Sequence, residues 1–310
     1  MRIFFKWFGI VVLCLIVIVL VAALLLANKQ NKIAGKTYEV SLPSIPIPTD
    51  SASFVRGGVI AASLCSGCHG GDFAGADFIN DPKLVVIAAT NITSGGKTND
   101  YTDADWIRII RYGVKPDNHG AIIMPSSEMG KMSDADLGSL ISYMKNVPAS
   151  SKTWPEPMFT FMSKVMAGAG LFGVIYHAEI IALTDTKTIT APEPGPTIDY
   201  GKYTVGFHGC TYCHGDNLNG KFTGDPVAPP GANITVAGNF GKWSLQQFKE
   251  TLRTGTTPEG KVMDTKFMPW ASIGQMTDME LEAVYNYLKS VPGEEDIPKL
   301  KKYKEKHASL

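Results

Sequence analysis

Two pentapeptides contain the residues of this chain that are most suited to chemistry. They are Cys65-Ser66-Gly67-Cys68-His69 and Cys210-Thr211-Tyr212-Cys213-His214. In the pattern C-x-x-C-H, two thiols bond one porphyrin and the adjacent histidine binds its iron. Zinc half-sites and thioredoxin-like redox pairs also use C-x-x-C, but they need a second ligand pair or do not need the histidine. Two complete copies predict two covalently bound haem c groups. The predicted attachment residues are Cys65, Cys68, Cys210 and Cys213, and the predicted proximal ligands are His69 and His214.

The two motifs belong to an internal repeat of about 80 residues. Cys68-His69-Gly70 matches Cys213-His214-Gly215 at an offset of 145 residues, and later matches drift from this offset by about three residues. This pattern predicts a duplicated domain with small changes in its loops. The later matches are Asn91-Ile92-Thr93 with Asn233-Ile234-Thr235, Met124-Pro125 with Met268-Pro269, and Met132-Ser133-Asp134 with Met276-Thr277-Asp278.

Each copy has the apolar spacing of short helices, and few segments alternate with the period of a strand. Thr102, Ser133 and Thr277 precede helical patterns and are predicted to cap them. The fold class is therefore predicted as mainly α, with two tandem domains behind an N-terminal transmembrane helix. The predicted bounds are an anchor at 1–32, a Pro-rich linker at 33–50, domain 1 at 51–148, a linker with an apolar helical segment at 149–195, domain 2 at 196–292 and a charged tail at 293–310.

Met124 and Met268 are the predicted distal iron ligands. They follow His69 and His214 at nearly equal distances, and each precedes a proline in a loop-like segment. A thioether is a soft ligand, and His/Met ligation raises the potential of a haem. Met132 and Met276 also repeat, but they stand at helix starts and are predicted to be core residues.

Two further pairs are candidates for supporting roles around the haems. Arg111 and Arg253 occupy equal places in the two copies, where a guanidinium suits a haem propionate or simply ends a solvated helix. The backbone carbonyls near Pro82 and Pro226 are predicted to accept the Nδ1 proton of the proximal histidines.

Three further histidines are predicted not to bind iron. His119 and His208 lie close to Met124 and Cys210, but neither has a histidine counterpart in the other copy. His177 lies in the apolar stretch 158–183 and is predicted to be an interior residue. That stretch is predicted to be a helix packed between the domains or lying on the membrane face.

Residues 8–27 form an uninterrupted apolar run of about 30 Å as a helix, the thickness of a bilayer core. A cleaved signal peptide has a shorter apolar core, so we predict an uncleaved anchor that contacts membrane lipid. Cys14 lies inside this run and is predicted to be a small apolar residue there. The lysines between 299 and 306 predict a solvated, disordered tail, or alternatively a surface for anionic lipid or an acidic partner.

The repeated motifs together resemble class I cytochrome c domains. The closest likeness is to membrane-anchored dihaem or multihaem cytochrome subunits of bacterial dehydrogenases and of respiratory or photosynthetic complexes, and it covers roughly residues 51–148 and 196–292. It implies a small helical shell around each haem and haem attachment on the extracytoplasmic, periplasmic side of a bacterial membrane. The subunits of dehydrogenases often carry three haems, whereas this chain has two motifs.

The expected function is single-electron transfer between a membrane-associated donor and an extracytoplasmic acceptor, as a subunit of a membrane complex with redox partner proteins. Nothing in the sequence predicts substrate chemistry, so the chain is not expected to be an enzyme. The alternatives are a haem enzyme, such as a dihaem peroxidase or a sulfur-oxidising cytochrome, or a structural subunit. Equal numbers of basic and acidic residues, 29 each, argue against a nucleic-acid partner.

Overall fold

The computed structural model describes residues 2–222 and 228–307. The fold is mainly helical, as predicted, and contains two similar helical domains preceded by one long helix. The first half contains α1 (Arg2–Ala34), α2 (Ser51–Ile60), a π-helical turn (Ala61–Cys65), α3 (Ser66–His69), β1 (Ala76–Asp81), β2 (Val85–Ala89), α4 (Asp103–Tyr112), α5 (Ser126–Met129), α6 (Asp134–Met144), β3 (Met158–Phe159), α7 (Phe161–Gly168) and a 3-10 turn (His177–Glu179). The second half contains α8 (Ile198–Phe207), α9 (Cys210–His214), a 3-10 turn (Asn239–Lys242), α10 (Leu245–Thr254), α11 (Trp270–Ile273), α12 (Asp278–Ser290) and α13 (Pro298–His307).

A pair of tightly crossed helices forms the frame of each domain. In the first domain α2 crosses α6 at Gly57, where an added Cβ would lie 2.0 Å from the Ser139 carbonyl oxygen. In the second domain α8 crosses α12 at Gly201, where a Cβ would lie 1.9 Å from the Ala283 oxygen. Only glycine permits this approach of two backbones. The repeat in the sequence therefore corresponds to a repeat in the packing.

The predicted helix caps are confirmed at the starts of α4, α6 and α12. The Thr102 side chain accepts a hydrogen bond from the Asp105 amide, and the Thr277 side chain accepts one from Glu280. Ser133 caps α6 in the same way. These bonds satisfy amides that have no partner within a helix, and so they fix where each helix begins.

The two domains share an extensive interface. The Tyr203 hydroxyl of α8 donates to Asp136 Oδ2 at 2.7 Å and accepts from the Ser133 amide at 2.9 Å. Phe207 is fully buried among core residues of the first domain. Arg56 forms two hydrogen bonds to Asp136, at 2.8 and 2.9 Å, and a third to Glu280 of the second domain. The domains therefore pack as one unit, with buried polar groups between them.

One helix in the described part of the chain is long and apolar enough to cross a membrane. It is α1, with a mean hydropathy of 3.6 over its most apolar part, and most of its side chains are exposed. Its C-terminal end packs on α7, where an added Cβ at Gly168 would lie 2.1 Å from the Leu26 carbonyl oxygen. Tyr38 and Ile45 of the segment after α1 are buried in the core of the first domain. This segment connects α1 to the domain and also forms part of the domain.

The charged tail differs from the prediction of a disordered chain. Residues 298–307 form α13, and Leu300 is buried with its side chain over Gly220. Tyr303 packs edge-to-face on Phe222, with ring centroids 6.3 Å apart. The apolar side chains at positions 300 and 303 lie on one helical face, which holds the tail on the second domain.

Candidate haem sites

The two C-x-x-C-H motifs lie at the ends of the helices that frame the domains. In the first domain α2 continues through the π-helical turn into α3, whereas in the second domain α8 ends and Gly209, with φ of +69°, leads into α9. Gly70 and Gly215 follow the histidines with φ of +78° and +85°, a conformation that glycine adopts without strain. Both routes place the two cysteines and the histidine on one helical turn.

A backbone carbonyl orients each histidine that the sequence predicts as a proximal ligand. The Nδ1 atom of His69 lies 2.8 Å from the Thr90 oxygen, and that of His214 lies 2.7 Å from the Ala232 oxygen. Such a bond makes Nδ1 the protonated nitrogen and leaves Nε2 with its lone pair available to a metal. Among the described residues, nothing hydrogen-bonds to Nε2 of either ring.

The acceptors are not the ones that the sequence predicted. Pro82 lies in the turn between β1 and β2, and the hairpin brings Thr90 rather than Pro82 to His69. Pro226 lies outside the described residues, and the acceptor for His214 is Ala232. A backbone carbonyl does accept the hydrogen bond, as predicted, but in the first domain it belongs to Thr90 and not to a residue near Pro82.

The repeated Asn-Ile-Thr motif holds these two acceptors in place. Asn91 Oδ1 accepts hydrogen bonds from the amide and the hydroxyl of Thr93, at 3.0 and 2.7 Å. Asn233 Oδ1 does the same for Thr235, at 2.9 and 2.7 Å. Since Thr90 and Ala232 directly precede these turns, the motif fixes the carbonyl that each histidine needs. The repetition of the motif was the signal in the sequence, although its role was not predicted.

Burial favours the uncharged form of the first thiol in each motif and of both imidazoles. All four motif cysteines are free, and burial raises the pKa of Cys65 and of Cys210 to about 12, so both are protonated at neutral pH. Burial also lowers the pKa of His69 and of His214, against the opposite effect of their backbone hydrogen bonds. Neutral imidazole is the form that binds a metal.

Apolar side chains line matched positions in the two domains. Cys65, Ile92 and Met124 are partly buried against the first core, and Cys210, Ile234 and Met268 take the same places in the second. Met132 and Met276 are almost completely buried inside the cores. The predicted distal ligands thus pack against the core of their domain without being fully buried in it, as one motif cysteine of each domain also does.

Comparison with known families agrees with this arrangement. Residues 52–144 match the family model of the cbb3-type cytochrome c oxidase subunit III, and residues 198–292 match the cytochrome c model. The chain carries two cytochrome c domains. The comparison with curated proteins found no match to this chain.

The residues of both cytochrome c domains fit haem c rather than a bare metal ion. Each domain offers two unpaired thiols, a histidine with a free Nε2 and an apolar wall containing a methionine. Within residues 2–222 and 228–307, no group of three or more His, Cys, Asp or Glu side chains is arranged to hold a metal by itself. A porphyrin supplies the four nitrogen ligands that the protein lacks, which is the composition expected of a cytochrome c domain.

The two matched arginines connect helices inside their domains. Arg111 is 4% exposed and donates to Asp134 at 2.6 Å and to the Met132 carbonyl at 2.7 Å. Arg253 donates to the Met276 carbonyl at 2.9 Å, to Asp278 at 3.0 Å and to the Gly274 carbonyl. Arg111 therefore connects the end of α4 to the start of α6, and Arg253 connects the end of α10 to the start of α12. A contact with a propionate stays a prediction for both.

His119, His177 and His208 have partners within the protein. His119 is partly exposed, and its Nδ1 lies 3.1 Å from the Asp117 carbonyl oxygen. His177 is 2% exposed and bonds the Ser127 hydroxyl at 2.7 Å. His208 lies at the domain interface, where Nε2 is 3.1 Å from the Ser63 hydroxyl. Burial lowers the pKa of His208 to about 4, so it is neutral at physiological pH.

The attachment motifs of the two domains lie against each other. Ser63 and His208 each precede the first motif cysteine by two residues, and their hydrogen bond joins equivalent positions of the repeat. Gly67 packs on Ser272 of α11, and Gly209 packs on Glu128 of α5. The first motif thus contacts α11, which follows Met268, and the residue directly before the second motif contacts α5, which follows Met124. Reciprocal contacts of this kind indicate an approximate two-fold relation between the domains.

Proposed function

We propose that this chain passes single electrons between a membrane-associated donor and an extracytoplasmic acceptor, using two covalently bound haem c groups. The proposed iron ligands are His69 and Met124 in the first domain and His214 and Met268 in the second. Haem c supplies one-electron redox chemistry at its iron when bound. The assignment of electron transfer rests on the two cytochrome c domains.

The protein residues would prepare each site for this role. The Thr90 and Ala232 carbonyls hold the imidazole rings in one tautomer, and a hydrogen bond at Nδ1 makes Nε2 a stronger donor. The thioethers of Met124 and Met268 would complete the ligand set and would favour the reduced state. If a histidine and a methionine both held the iron, neither site would have a place for a substrate, which is why we propose a carrier rather than a haem enzyme.

The observation that carries the proposal is the reciprocal packing of the two motifs. The Ser63–His208 bond joins the helices that lead into the two attachment motifs, and Gly67 lets α11 approach the first motif closely. An electron entering one domain would therefore find the second site directly across the interface. Two sites that served separate reactions would not require this contact.

The membrane placement follows from α1. A single span with both domains after it places both haems on the same side, which we propose to be the periplasmic side of a bacterial membrane. Leu26 and Lys29 of α1 both contact Gly168 of α7, and cleavage near residue 28 would remove the Leu26 contact, which supports an uncleaved anchor. The match of the first domain to a terminal oxidase subunit supports membership of a respiratory complex.

Carbon monoxide binding to the reduced holoprotein tests the proposal. We expect a spectrum of low-spin haem that does not change with carbon monoxide, two one-electron waves in a redox titration, and two haems per chain by mass. A site that binds carbon monoxide readily would have an open iron position, and the haem-enzyme alternative would then replace electron transfer for that domain. Purification of the native membrane complex would identify the donor and the acceptor.

A further inference from the structure

Next to α1 lies an apolar surface that the haem sites do not use. It belongs to the α7 segment, residues 161–173, which follows the first cytochrome domain. Phe161, Met162 and Leu171 are 51%, 58% and 52% exposed. Large apolar side chains that cluster on one exposed segment mark a binding surface more often than single ones do.

The α7 segment packs on the part of α1 where its apolar run ends. The α1 side chains that the protein shields recur at helical spacing, and they include Ala23, Leu26 and Ala27 inside the run. Ala23 lies about 6 Å before the end of the run at Ala27, from the rise of 1.5 Å per residue. The shielding therefore extends one turn into the apolar part of the helix, below the level where water is expected.

The contact between α7 and α1 leaves little freedom in their relative position. Gly168 approaches the Leu26 backbone so closely that an added Cβ would lie 2.1 Å from its carbonyl oxygen. The end of α7 therefore lies at the level of Leu26, one residue inside the apolar run. Small residues allow such close helix packing within membranes.

The backbone groups at the end of α7 have partners within the protein. Lys29 Nζ donates to the Gly168 carbonyl at 3.1 Å. The Leu171 amide donates to the Met166 carbonyl at 3.0 Å, and the Ala169 amide to the Val165 carbonyl at 3.0 Å. Polar backbone near a bilayer core needs such partners, since water is scarce there. The lysine stem crosses apolar surface while its ammonium stays at the boundary.

We propose that the α7 segment inserts into the lipid surface beside α1, with Phe161, Met162 and Leu171 in contact with acyl chains of the leaflet that the haem domains face. The occupant is the bilayer because the α7 segment packs against the apolar run of α1 at Leu26, next to Leu24 and Leu25, which are 60% and 65% exposed. The proposal requires that α1 is retained, and it does not depend on the electron-transfer role of the haems.

Labelling from within the bilayer tests this proposal on the full-length holoprotein. The protein is reconstituted into vesicles of phosphatidylcholine and phosphatidylglycerol that contain a photoactivatable acyl-chain carbene reagent, and labelled residues are mapped by mass spectrometry. We expect label on Phe161, Met162 and Leu171 as well as on Leu24 and Leu25. Val262, an apolar residue of the second domain that is 74% exposed, provides the unlabelled control in the same molecule.

Charged variants provide the second measurement. Met162→Asp and Leu171→Asp each should lose label around the new charge and keep it on α1, with an unchanged haem spectrum as evidence of folding, and Val262→Asp should change nothing. Label confined to α1, or cross-links between the α7 segments of two copies, would overturn the proposal. Absence of label from Leu24 and Leu25 would also overturn it, by showing that α1 is not in lipid, and would leave the haem spectrum unaffected.

Discussion

Arg56 is the residue whose replacement gives the sharpest test of the domain interface. It is a domain-1 residue that bonds both Asp136 of its own domain and Glu280 of the other. Glu280 is 2% exposed and also accepts hydrogen bonds from the Thr277 amide and hydroxyl, at 2.8 and 2.9 Å. Replacement by methionine keeps the apolar stem and removes the charge, so two largely buried carboxylates would face each other without a cation.

The expected loss of stability is about 3 kcal/mol. Removing one partner of a buried ion pair costs about 3–5 kcal/mol, because the remaining charge stays buried. The lower end of this range applies to Arg56→Met, since the Arg56 side chain is 22% exposed and water can reach part of it. The hydrogen bond between Tyr203 and Asp136 remains in the variant and compensates one of the carboxylates in part.

Urea unfolding of the holoprotein, followed by far-ultraviolet circular dichroism, measures this loss. Lys97→Met is the matched control, because the Lys97–Glu156 pair is 57% and 75% exposed and should contribute only about 0–1 kcal/mol. If Arg56→Met costs no more than Lys97→Met, the Arg56 cluster does not stabilise the interface and our reasoning fails.

The pH dependence of the same variant provides an internal check. Burial by itself raises the pKa of Glu280, but the charge and hydrogen bond of Arg56 and the bonds from Thr277 bring this pKa below its ordinary value. A lowered carboxyl pKa gives stability that is present above about pH 4.5 and is lost as the pH falls through the folded-state pKa. The difference between wild type and Arg56→Met should therefore shrink below about pH 4. A difference that grows on acidification would contradict the assigned sign.

Three further predictions address the sites and the tail. Met268→Ala should lower the potential of one haem and let it bind carbon monoxide, whereas Met276→Ala should cost about 2–5 kcal/mol of stability and leave both potentials unchanged. Acidification from about pH 6.5 to about pH 4 should destabilise the wild type by up to about 3 kcal/mol through His208, because the unfolded chain binds the proton first, and His208→Asn should lack this component. Neutralising Lys299 and Lys302 together should slow electron transfer to an acidic partner at low ionic strength only.

Each of these predictions has an outcome that would contradict it. An unchanged redox titration of Met268→Ala would remove that residue from the ligand set. Urea unfolding across a pH series measures the loss of stability on acidification. An equal loss in the wild type and in His208→Asn would show that a group other than His208 takes up the proton. Equal rates for the lysine variant and the wild type at every salt concentration would leave α13 with only a packing role.

The repeated residues of the sites could be predicted from the sequence because the chemistry is local. C-x-x-C-H lies on one helical turn, and the caps at Thr102 and Thr277 involve residues three positions apart. The backbone acceptor of His69 could not be placed, because the β1–β2 hairpin carries Pro82 away and only the folded chain brings Thr90 to the ring.

The domain interface could not be predicted from the repeat at all. Arg56 corresponds to Tyr200 in the second copy, so the repeat gives no sign that one arginine serves two acids. His208 was correctly judged different from its counterpart Ser63, but their contact depends on how the domains pack. The prediction of a disordered tail was wrong because Leu300 and Tyr303, which stand among the lysines, form an apolar pair at helical spacing.

The close fit of Gly168 on Leu26 has a consequence for how partners meet this protein. A cytochrome domain on a long, flexible linker can move between a donor and a distant acceptor, and the length of the linker sets its range. In this protein Tyr38 and Ile45 are buried in the core of the first domain, so the segment between α1 and that domain is not a flexible linker. With α1 as the membrane anchor that we propose, the two cytochrome c domains would stand at a constant height above the membrane, and the donor and the acceptor would have to travel to them.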